Sequence, residues 1–269
     1  MLTLIWVAAA VALIPLALVF AWILGAGLPA VSWDFFTQIP APLGQSGGGM
    51  ANALIGTLTL VGLASCVGVP LGILCGMLLS EYAESKLARI TRFTLDLLTS
   101  VPSIVIGLFI YALLVVPMRG FSAWAGAAAL AIIMLPIIGK TTEEVLKLVP
   151  DNIREAGLAL GISRWRVIMS IVLKGSSGAV ATGVILAVAR AAGESAPLLF
   201  TAFSNQFWPS GLGQPTPSLP VQIYVYAISP YAEWHQLAWA GALVLVSVVF
   251  VLNLSTRILM SRSGVVRAR

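Results

Sequence analysis

Six apolar stretches separated by polar or charged segments run through this sequence, and they leave it few ways to fold. A helix needs about 20 mostly apolar residues to cross a bilayer. The stretches run from about Leu4 to Leu28, Ala53 to Leu79, Leu97 to Val116, Trp124 to Ile138, Ala179 to Phe203 and Leu237 to Leu259. The fourth is short. The first has no basic flank and is long for a secretory signal, so it reads as a retained helix. Only 9% of the residues are charged and 59% are hydrophobic, whereas a soluble domain carries about a quarter charged residues. The chain therefore reads as an all-α integral membrane protein with six transmembrane helices in a single domain, residues 1–269.

The charges are distributed unevenly. Thirteen of the fifteen Lys and Arg fall after the second span (Lys86, Arg89, Arg92), after the fourth (Lys140, Lys147, Arg154, Arg164, Arg166, Lys174) and at the tail (Arg257, Arg262, Arg267, Arg269). Positive loops stay on the cytoplasmic side, which places these segments and both termini in the cytoplasm. The net charge of +5 is explained by this topology, and no nucleic-acid partner is implied. Trp33, Phe35 and Phe36, together with Trp208, Tyr224, Tyr226, Tyr231 and Trp234, gather on the opposite side, where rings favour the headgroup layer.

Several features suggest chemistry but have simpler readings. Cys66 and Cys75 would stand about 13 Å apart along a helix, too far for a mutual disulfide, and no metal-ligand spacing occurs. Gly139-Lys140-Thr141 looks like the end of a phosphate-binding loop, but the required earlier glycine is replaced by Met134 and no strand precedes it. ATP binding by this chain is excluded on that ground. His235, the sole histidine, reads as a solvated interfacial residue. No catalytic constellation can be assembled, so the chain reads as a non-enzymatic protein without a cofactor. Gly68, Gly72 and Gly76 share one helix face, where another backbone can approach closely. That contact reads either as ordinary packing or as one near a pore or subunit interface. Pro70, Pro102 and Pro197 are expected to bend their helices.

The charged stretch of about 140–177 contains "REAGLALGISRWRVIMSIVLK". A short helix from Glu155 to about Leu160 should stop at Gly161, and Ser163 should cap a second helix. Ala156, Leu158, Ala159 and Leu160 are then partly exposed. Such a surface either docks a partner or rests on lipid headgroups.

Glu155-Ala156 followed by Gly161 resembles the cytoplasmic "EAA" loop of ABC importer permeases. In that family the loop supplies a coupling helix that enters a cleft of the ATP-hydrolysing subunit. "ARAAGESAPLLFTA", "SVPSIVIGLFIY", "MLPIIGKTTEEVLKLVP" and "SLPVQIYVYAISP" further resemble PstA-type permeases of phosphate-specific ABC importers, from about Gly47 to the C-terminus. Against that family the start is short and lacks the expected basic residues. The resemblance implies a type I ABC permease fold in a bacterial inner membrane. It also implies a PstC-type partner permease, a PstB-type ATPase dimer, a periplasmic PstS-type binding protein, and phosphate as the solute. ATPase coupling would fall on Glu155, Ala156 and Gly161.

Arg190 and Glu194 lie inside the fifth span. A charge there costs about 2.5–3.5 kcal/mol on insertion scales. The residues are one helical turn apart, and Arg190 offers a planar fork of donors suited to an oxyanion. One reading gives phosphate a transient attractive point at Arg190, with Glu194 holding the guanidinium when phosphate is absent. The other is a structural ion pair. Ser195, Thr201, Ser100 and Ser103 could add hydroxyl donors. Tetrahedral anions such as molybdate and sulfate are not separated by this pair, so phosphate rests on the resemblance. A gradient-driven secondary transporter is the alternative from a different class, and it would act without an ATPase.

Overall fold

The computed structural model describes residues 2–42 and 47–262. Arg267 and Arg269 of the basic tail, and residues 44–46 of the Gly-rich segment, lie outside the described residues. The described residues are almost entirely helical. The elements are α1 (Leu2–Gly27), α2 (Ala51–Glu81), α3 (Lys86–Ser100), α4 (Ser103–Met118), α5 (Ala123–Lys147), α6 (Asp151–Ala159), α7 (Arg164–Leu173), α8 (Ser177–Ala192), α9 (Ala196–Thr201), α10 (Leu219–Ala227) and α11 (Ala232–Arg262). A five-residue helix, Trp33–Thr37, follows α1.

Among the described residues, α1, α2, α5 and α11 are each long and apolar enough to cross a membrane. The pairs α3–α4 and α7–α8 qualify only when joined, and they bend by 108° and 75°. The described residues thus provide four unbroken spans, or up to six if each bent pair counts as one.

The sequence boundaries need correction in four places. The third span does not begin at Leu97. Residues 97–100 belong to α3, and the chain turns at Val101–Pro102 before α4. Val101 is extended (φ −76°, ψ 129°), as the residue before a proline prefers. The fourth span does not stop at Ile138. α5 continues to Lys147, because Gly139 is interior and no proline intervenes until Pro150. The fifth span breaks after Ala192, where Gly193 ends α8 and Pro197 sits in the first turn of α9. The Pro-rich loop before the sixth span contains α10, with Leu219, Val221 and Tyr226 buried. α2, in contrast, continues through Pro70 without a break.

The core is the seam between α2 and α5. Leu60, Ala64, Leu130, Met134 and Ile138 are buried there, beside Ala187 of α8 and Leu198 of α9. The three α2 glycines line this seam. Gly68 faces Ala131, Gly72 faces Ile138, and Gly76 faces Thr142 and the Gly139 carbonyl. Apolar attraction between helices is weak in lipid, so close backbone approach carries their association. Within this chain the glycine face is thus used for helix packing. α1, by contrast, is exposed along its apolar length and leans on α11.

Candidate functional site

A cap, an unbroken helix and a break place the charged side chains. Ser85 accepts the Ala88 N–H at 3.1 Å and starts α3. The continuation of α5 carries Lys140, Glu143, Glu144 and Lys147 onto a helix that packs against α3. The break after α8 leaves Arg190 in that helix's last turn and Glu194 in the connection.

These elements enclose a cleft of about 440 Å³. Its walls include Thr99, Ser100 and Ser103 from the α3–α4 bend, Lys140, Thr141 and Glu144 from α5, and Arg190 from α8. Arg190 is open, with 62% of its side chain exposed, whereas Glu194 is sheltered at 16%. Their Nε–Oε1 separation is 3.5 Å, a loose pair. Lys140 Nζ lies 2.6 Å from Asp96 Oδ1. Below the cleft Glu143 is bound by Arg92 and by Lys147, the latter at 2.6 Å. Two cations of different character therefore line one cleft. Arg190 offers a planar fork and Lys140 a compact point charge. Each has a carboxylate that a competing anion could displace.

The expected anion residues divide. Arg190 lines the cleft and Glu194 pairs with it, although on a broken helix rather than a continuous one. Ser195 takes the N-cap position of α9 without a side-chain capping bond, and it is not among the residues that line the cleft. Ser100 and Ser103 line it, but the Ser100 hydroxyl donates to the Asp96 carbonyl at 3.0 Å. Thr201 is buried and donates to the Pro197 carbonyl at 2.8 Å. Lys140, set aside in the sequence with its Gly-Lys-Thr neighbours, is a wall residue. The sequence signals only that the helix runs past Gly139 without a stop, not that α3 folds back beside Lys140. His235 donates to the Ser229 carbonyl at 2.6 Å, away from the cleft.

The second region is the hairpin α6–α7. The short helix begins at Asp151 rather than Glu155, just after Pro150. It ends at Gly161, whose φ of +75° suits glycine. Ile162 N–H donates to the Gly157 carbonyl at 3.3 Å, and Gly161 N–H to the Leu158 carbonyl at 2.9 Å. That pair of bonds is a Schellman closure. Ser163 precedes α7, but its hydroxyl makes no capping bond. Glu155, Ala156, Leu158, Ala159 and Leu160 are all exposed, with Gly157 turned inward onto Val167.

Residues 68–264 match the family model described as "Binding-protein-dependent transport system inner membrane component". A phosphate transport system permease protein PstA of Haemophilus influenzae is 51% identical, covering 86% of this chain and 82% of that one. The PstA of Yersinia pestis is 49% identical, covering 88% and 80%. The PstA of Pasteurella multocida is 44% identical, covering 96% and 92%. Among solved structures, an inward-facing MetNI methionine ABC transporter superposes with a TM-score of 0.58 at 17% identity, covering 79% of this chain and 93% of that one. An amino acid ABC transporter gives 0.53 at 18% identity, covering 78% and 89%. These two establish the ABC permease fold. On the family match and the length over which these relatives align, the chain belongs to the PstA family of phosphate transport system permease proteins.

Proposed function

We propose that this chain is the permease subunit of an ATP-driven phosphate importer and that the Arg190 cleft forms its half of the anion path. The observation that carries the proposal is the pairing in one cleft of an open guanidinium, loosely matched to Glu194, with a lysine that is held by a half-exposed carboxylate. Phosphate displaces Glu194 from Arg190 and Asp96 from Lys140 as it enters. The returning carboxylates limit how tightly it is held. Ser195 stands beside the Arg190–Glu194 connection and tunes its geometry. The exposed face of α6, with Glu155 and Ala156 and with Gly161 ending the helix, docks on an ATPase subunit. Hydrolysis belongs to that subunit, and this chain performs no catalytic step. The basic segments face the cytoplasm with both termini, in a multi-pass inner-membrane arrangement. A PstC-type permease, a PstB-type ATPase dimer and a periplasmic PstS-type binding protein complete the assembly.

The test is labelled phosphate uptake in vesicles that carry the assembled importer. Arg190→Gln should lower uptake by about tenfold or more, the change that about 1.4 kcal/mol produces, while the ATPase still co-purifies. Vesicles with this chain alone should take up no phosphate. Normal uptake in Arg190→Gln rejects the pathway role, and flux through the lone chain rejects the ATP-driven reading.

A further inference from the structure

We propose that Arg154 is a positioning residue: with Glu81 it forms the joint that makes the α6 docking helix move as one body with α2 and α5, the helix pair behind the cleft. The proposal rests on the docking role given to α6 above.

The joint uses every donor group of the side chain. Arg154 Nε donates to Glu81 Oε1 at 3.1 Å and to Oε2 at 3.3 Å, and Nη2 donates to Oε1 at 2.9 Å. Nη2 also donates to the Leu146 carbonyl at 2.8 Å, and Nη1 to the Val149 carbonyl at 2.5 Å. Asp151 Oδ1 lies 3.3 Å from Nη1. Glu81 is the last residue of α2, while Leu146 lies in the last turn of α5 and Val149 just beyond it. One guanidinium thus ties α6 to the C-terminal ends of two long helices, where carbonyls lack helical partners and a cation is favoured. The pair is sheltered, with 17% of the Arg154 side chain and 3% of that of Glu81 exposed. Shelter limits screening by salt.

A second contact fixes the same corner. Arg164 of α7 donates to the Glu81 carbonyl at 2.7 Å, and its guanidinium lies 4.8 Å from the Tyr82 ring centroid. The α6–α7 hairpin therefore grips the end of α2 from both of its helices. From there a displacement has a stiff route. α2 and α5 meet along the glycine seam, and α5 carries Pro136, Ile137, Lys140 and Thr141 into the cleft. A flexible ammonium could supply the charge at position 154 but could not bond the carboxylate and both carbonyls in this fixed fork.

The experiment uses the complete importer in vesicles and measures three quantities: ATPase co-purification, ATP hydrolysis, and phosphate taken up per ATP hydrolysed. Arg154→Gln and Glu81→Gln should retain the ATPase yet lower uptake per ATP by about fivefold or more, the lower end of usual site-to-site coupling. Arg154→Lys should fall between them and the parent. Glu81→Gln keeps an acceptor oxygen and the carbonyl bonds, so it serves if Arg154→Gln does not insert. Unchanged uptake per ATP in both Gln variants overturns the joint, and so does their loss of the bound ATPase. Leu160→Asp on the exposed face tests the docking role separately. If it leaves ATPase retention intact, the docking reading fails, whatever the joint variants do.

Discussion

At Gly72 and Gly76 a single methyl group decides whether two helices can meet. A Cβ at Gly76 would lie 2.7 Å from the Gly139 carbonyl and closer still to Thr142, and one at Gly72 would lie 2.7 Å from Ile138. Gly62, on the same helix, has nothing within 4 Å of such an atom. Gly76→Ala should therefore destabilise the protein by about 1–3 kcal/mol through overpacking, whereas Gly62→Ala should leave thermal unfolding in detergent nearly unchanged. The glycine face was legible because a four-residue spacing maps directly onto one side of a helix. Arg190 and Glu194 were legible for the same reason, since an ion pair in an apolar run has few explanations. Lys140 was not. Its place in the cleft depends on α3 folding back beside α5, and nothing local to "IIGKTTEE" encodes that neighbour.

At the scale of elements, local signals compete with the hydropathy that surrounds them. In the sequence the start of α3 looks like a charged loop, because Lys86, Arg89 and Arg92 dominate it. Its apolar residues Ala88 and Leu95 are nonetheless a helical two turns apart, and both are buried. The end of α8 was announced by Gly193 and Pro197, yet the hydrophobicity around them read as one span. The hairpin was clearer, because a glycine after a helical run is a strong stop. Gly161→Val should strain a φ of +75° by about 1–2 kcal/mol and tilt the docking helix. The expected outcome is ATP hydrolysis that continues while phosphate uptake falls, with the membrane level of the chain unchanged on immunoblots. Coupling at the parent level would count against the docking role of the hairpin.

Across the whole molecule, two kinds of adhesion divide the labour. Near α6 the helices are held by charge: Asp96 with Lys140, Glu143 with Arg92 and Lys147, and Glu81 with Arg154. At the other end, α2 is fastened to the start of α10 and the loop before it by uncharged groups. Thr57 accepts the Leu219 N–H at 2.8 Å, and Asn52 donates to the Asn205 carbonyl at 2.9 Å. Raising ionic strength should speed amide hydrogen exchange around residues 86–96 and 140–147, where the pairs are partly exposed, because screening weakens such pairs. Residues 52–57 and 216–222 should exchange at their former rate. The overall helical architecture was legible from hydropathy alone, whereas this division was not, because it arises from partners far apart in sequence. At Gly56 the Pro217 carbonyl occupies the place a methyl would take. Helix and loop are already in backbone contact there, like two boards planed flush, so even the smallest side chain at position 56 has to force them apart.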